Sequence, residues 1–109
     1  MTVAQLQEAL ELKILTMPDP EKEITGGYTG DLLSFVMGSA QSGNAWVTIM
    51  SNVNVVAVAT LTDVACVILS SNVTLDQGVT ERARAQDVNV LSSALPSFTL
   101  CQKIAELLK

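Results

Sequence analysis

The residues with most chemical potential stand together in "EITGGYTGDLLS", Glu23 to Ser34, where three glycines and an acid precede an apolar run. Glycine-rich loops ahead of helices cradle phosphates through backbone amides, but a phosphate loop also needs a lysine to meet the charge. This stretch has Gly26, Gly27 and Gly30 and no lysine, and Asp31 follows the last glycine. An acid there complements the dipole of a helix start and repels an incoming phosphate. The spacing therefore predicts a glycine turn with positive φ at Gly26-Gly27, then a helix capped by Thr29 or Gly30 with Asp31 in its first turn. If this turn touches a ligand, Gly26, Gly27 and Tyr28 do so by backbone and ring.

Other reactive groups are sparse. There is no histidine, which removes the usual general base, metal ligand and pH switch. Cys66 and Cys101 sit in separate apolar segments with no partner at metal-ligand spacing, and are expected to be buried free thiols of a cytoplasmic protein. No metal site and no cofactor are expected. Tyr28, Asp31, Asp63 and the thiols are the remaining candidates, and no two are spaced as an acid–base or nucleophile–base pair.

The elements that must position these groups alternate along the chain. Thr2 and Gln5 form a capping-box pattern for a helix through about Leu10. "LKILT" reads as a strand, and Leu32, Leu33, Val36, Met37 and Ala40 recur at helical spacing up to Gly43-Asn44. "AWVTIM", "ACVILSS" and "VNVLSS" read as strands. Between them, "SNVNVVAVATLTD" is expected to be a buried helix held by Asn52 and Asp63. "TLDQGVTERARAQD" is a surface helix, with Leu75, Val79 and Ala83 inward. From Pro96, the residues Phe98, Cys101, Ile104, Ala105 and Leu108 should form the inner face of a terminal helix.

Such alternation implies an α/β three-layer sandwich: one domain over 1–109, with a small, mainly parallel sheet of 4–5 strands covered by helices on both faces. Parallel sheets place ligands beyond the carboxyl ends of their strands. Here those ends offer Thr48, Ser51, Asn52 and Asn54 after one strand, Ser70 and Ser71 after the next, and Ser92 and Ser93 after the last. Hydroxyls and amides can hold a ligand by hydrogen bonds and do little proton chemistry at neutral pH. Each can equally be a helix cap or turn former.

Composition narrows the classes of function. Net charge is −5 and the six Lys+Arg are scattered, so no basic stripe exists for nucleic acid. The start "MTVAQLQEAL" does not read as a signal peptide, and no apolar run approaches the roughly 20 residues of a membrane span. Between Leu32 and Leu75 the only charged residue is Asp63. Apolar residues make up 49% and charged ones 16% of the chain, against about 25% charged in ordinary domains. Part of the uncharged middle is expected to meet another subunit, through the Leu32–Met37 and Val53–Leu61 helices.

The segments "GGYTGDLLSFVMGSA", "AWVTIMSNVNVVAVATLTDVACVIL" and "VLSSALPSFTLCQKIAELL" resemble the small stand-alone DRTGG-domain proteins of anaerobic bacteria, over roughly Ile24 to Leu108. Those proteins are similar to the N-terminal domain of HPr kinase/phosphorylase, and the domain recurs beside CBS domains in regulatory pyrophosphatases and in some phosphate acetyltransferases. The small ones are typically encoded near iron-only hydrogenase components. The resemblance implies a regulatory, usually homodimeric α/β module with a possible hydrogenase-related partner, and a possible adenine-nucleotide ligand at the sheet edge or dimer interface. It does not imply kinase activity, because the kinase's phosphate loop lies in a separate domain. Ser51-Asn52-Val53 aligns with the family's Gly-Asp-Arg element and Leu69-Ser70-Ser71 with its Thr-Gly-Gly, so the family's arginine has no counterpart here.

Overall fold

A computed structural model describes Met1–Lys109. The helix α1 (Val3–Leu10) starts as its sequence requires: Thr2 Oγ1 accepts from Gln5 N at 3.1 Å and Gln5 Oε1 accepts from Thr2 N at 2.9 Å. Strands β1 (Lys13–Thr16) and β2 (Gly26–Thr29) follow, then α2 (Leu33–Ser39), β3 (Asn44–Thr48) and α3 (Val53–Thr62). The chain closes with β4 (Cys66–Leu69), α4 (Gln77–Ala85), β5 (Val90–Ser92) and α5 (Ser97–Leu107).

The five strands form one sheet in the order β1-β5-β4-β3-β2. β2, β3, β4 and β5 run parallel, while β1 pairs antiparallel with β5 at one edge. Every residue of β4 is buried, yet its side chains still alternate. Cys66 and Ile68 join Val3, Leu6, Leu100 and Ile104 on the face covered by α1 and α5. Val67 and Leu69 join Trp46, Val36, Val55 and Ala83 on the face covered by α2, α3 and α4. The three-layer sandwich is thus present, and its two cores take up part of the long uncharged middle.

The valine-rich segment is a helix, as its polar ends require. Asn52 Oδ1 accepts from Asn54 N at 2.9 Å at the start, and Asp63 closes the other end in the left-handed conformation. Lone-strand preference of its valines loses to position, because α3 lies on the sheet with α2 and α4 on either side.

Three expectations fail. Gly26-Gly27 is not a turn: both belong to β2, in register with Asn44 and Ala45 of β3. The glycine that needs a positive φ is Gly43, at +84°, where a Cβ would collide with Thr25 Oγ1. Second, α2 starts from Leu32 without a side-chain cap and ends at Ser39, so Thr29, Gly30 and Asp31 precede it. Asp31 instead accepts from Thr48 Oγ1 at 2.8 Å and from Ile49 N at 3.0 Å, tying the β2–α2 connection to the end of β3. Third, Phe98 is 84% exposed, Ala105 is exposed as well, and the buried side of α5 is Leu100 and Ile104. Two positions from Leu100 is nearly the opposite side of a helix.

Candidate functional site

Because β3, β4 and β5 are adjacent and parallel, their carboxyl ends line up and bring Thr48, Ser70 and Ser92 to one edge, as expected. All three are buried. Internal bonds occupy most of this set. Thr48 Oγ1 donates to Asp31 and accepts from Met50 N at 3.1 Å. Ser70 Oγ and Ser97 Oγ share a hydrogen bond of 2.6 Å that joins β4 to the first turn of α5. Ser93 Oγ accepts from Leu95 N at 3.1 Å, and Asn52 caps α3. Capping and turn formation therefore account for Thr48, Asn52 and Ser93, and a bond between elements accounts for Ser70.

Ser71 and Asn72 differ. Both are exposed with positive φ, 56° and 64°, which is uncommon outside glycine. Their amides anchor the turn: Ser71 N donates to Leu95 O at 2.8 Å and Asn72 N to Ser93 O at 2.9 Å. Their side chains project from this pinned turn, while Ser51, in the β3–α3 loop, is half-buried. Asn72 joins Ser71 as an exposed polar group at the end of the central strand.

The remaining candidates lie elsewhere. Gly27 and Tyr28 line a groove of about 250 Å³ between β2, β3 and α5, with Ala45, Val47, Cys101, Ile104 and Leu108. Gly26 packs against the Asn44 amide. Asn54 lines a second groove of about 410 Å³ between α3 and α4, with Val53, Ala57, Leu61 and Arg82. The sequence-derived set thus divides among the sheet edge, the α5 groove and the α3–α4 groove.

Titratable groups add no reactive pair at the edge. Cys66 is buried and burial pushes its thiol up to about 12, so it stays neutral and inert. Cys101 is only half-buried, not fully enclosed as expected. Asp63 lies at the far end of α3, where hydrogen bonds from Lys22 Nζ at 2.7 Å and Ser42 Oγ at 2.6 Å hold its carboxyl below the usual range. It is a clip between the β1–β2 loop, the α2–β3 turn and α3.

No protein-family model matches the chain. A search of curated proteins also gives no match. Among solved structures, the chain is similar to the CBS and DRTGG domains of the regulatory region of Clostridium perfringens pyrophosphatase, complexed with activator, diadenosine tetraphosphate. The likeness has a TM-score of 0.72 at 13% identity and covers 93% of this chain. The fold is DRTGG-like. This chain spans 44% of the pyrophosphatase chain. At that identity the shared property is the DRTGG-like architecture. No helix of the chain is long and apolar enough to cross a membrane.

Proposed function

We propose that this chain is a non-catalytic regulatory or interaction module that works as a homodimer. The observation that carries the reading is apolar surface without charge. Leu32, Phe35, Met37, Ile49, Val53 and Leu61 are all exposed on or beside α2 and α3, with Phe35 at 67% and Leu61 at 72%. A lone exposed leucine is ordinary; a run of them within an uncharged third of a chain marks a contact surface. The absence of a reactive pair among Tyr28, Asp31, Asp63 and the thiols supports a role outside catalysis. Reproducible ATP-dependent phosphorylation of a protein substrate by the purified chain would refute it. Sedimentation velocity tests association directly: a dimer at micromolar concentration is expected, and a strict monomer, unaltered by nucleotide or by iron-only hydrogenase components, overturns the homodimer.

A second reading has its own support. A structure of the same fold was crystallised with diadenosine tetraphosphate, and Ser71 and Asn72 project from a pinned turn at the edge where parallel sheets bind ligands. On this reading the module senses an adenine nucleotide there or across the dimer. At 100 times its Kd a ligand adds about 2.7 kcal/mol, a rise in Tm on the order of 10 °C for a domain of this size. Absence of any shift with millimolar adenine compounds removes this reading.

A further inference from the structure

We propose that a second copy of this chain docks along the free edge of β2, so that the sheet continues across a two-fold axis and the two α5 helices pack together above the junction. This rests on the homodimer reading above and assigns its surface.

The two edges of the sheet differ in their protection. Exposed strand edges are normally blunted by lysine, proline, a bulge or a covering element. The β1 edge has exposed Lys13 and a register shift between Ile14 and Thr16. The β2 edge, Gly-Gly-Tyr-Thr, has no charge, proline or bulge. Apart from its ladder with β3, no backbone or side-chain group of the chain bonds to the amides and carbonyls of Gly26–Thr29.

Beside this edge α5 presents a stripe that the fold covers only in part, with Phe98 and Ala105 exposed and Cys101 and Leu108 half-buried against the core. Phe98, Cys101, Ala105 and Leu108 fall at successive spacings of three, four and three, the pattern of a helix seam. Cys101, Ala105 and Leu108 line the groove with Gly27 and Tyr28. None of the four is charged, so a chain of net charge −5 can meet its copy there without apposing like charges.

The seam is self-complementary. A two-fold axis through the junction runs the two α5 helices antiparallel. Phe98 then stands opposite the partner's Leu108 and Cys101 opposite the partner's Ala105, and both pairs centre on position 103. Small side chains in the middle allow close approach, with the large ones closing the ends. The spacing agrees. α5 packs over β2 and β3. With strands about 4.8 Å apart, its axis lies about 5 Å from the two-fold, which sets the helices about 10 Å apart, within the packing range of helix pairs. A stable interface needs roughly 800 Å² from each partner. A strand edge of this length is too short alone, and Phe98 adds about 150–250 Å².

Sedimentation velocity and hydrogen exchange from about 1 to about 100 µM test the assignment. Gly27→Lys has room at its Cβ, which meets only Ala45 O at 3.6 Å, and it brings a charge to the groove beside the edge. Phe98→Glu alters a side chain already in solvent. Both are expected to weaken dimerisation at least tenfold, about 1.4 kcal/mol. The amides of Gly26–Thr29 should gain about tenfold protection as the dimer forms, and this readout stands should a variant fail to fold. A dimer that survives both seam variants, or gains no protection in β2, overturns this assignment and leaves the homodimer standing elsewhere. A wild-type monomer at the highest concentration overturns both.

Discussion

Glycines that look alike in the sequence carry different physical weight. Gly43 holds a φ that side chains rarely adopt, and a methyl group there would strike Thr25, whose hydroxyl donates to Ser42 O at 3.1 Å. Gly43→Ala should cost about 2–4 kcal/mol, whereas Gly27→Ala, in open extended backbone, should stay within about 0.5 kcal/mol. Urea denaturation of the two variants measures the contrast, and equal costs would refute it. The thiols divide similarly: with burial holding the Cys66 thiol near 12, an aqueous disulfide reagent should modify half-buried Cys101 ahead of Cys66, which reacts only as fast as the fold opens. Asp63 gives a pH signature. Its carboxyl is held below its ordinary 3.8 by Lys22 and Ser42, so the stabilisation is fully present above that value and is lost as pH falls through the lowered one. The pair is largely exposed, so Asp63→Asn should remove no more than about 1 kcal/mol at neutral pH, less in high salt, and flatten the acid limb of the stability curve.

Helix boundaries were legible where a side chain makes the boundary and illegible where packing does. Thr2, Gln5 and Asn52 close their helix ends by local side-chain bonds visible as spacing. Asn52→Ala should cost about 1 kcal/mol by thermal melting, and a cost near zero would show that sheet packing alone holds α3. The start of α2 has no such bond. Its position is set by Asp31, which reaches across to Thr48 and Ile49 on a strand that is a neighbour only after folding. That long-range pairing turned an apparent first-turn acid into a clamp and left Gly26-Gly27 free to pair with β3. The same holds for α5, where apolar periodicity located a stripe but could not say which side the sheet covers.

At the scale of the molecule, an acidic chain with two well-filled cores still leaves large apolar side chains in water at α2, α3 and α5. If association covers them, Tm should rise with protein concentration by mass action, and a Tm constant over a hundredfold range speaks for a monomer. Trp46, fully buried with its indole N–H donating to Gly30 O at 3.0 Å, offers a fluorescence probe of that transition. By itself the sequence determined the α/β alternation, the parallel sheet, the cap residues and the convergence of Thr48, Ser70 and Ser92, because these follow from period, local bonding and the handed geometry of strand–helix–strand units. Only the tertiary structure decided which polar groups at that edge remain free, that the glycine pair is an open strand edge, and that Phe98 faces water. Each of those depends on which neighbours arrive from distant parts of the chain, and periodicity contains no information about them.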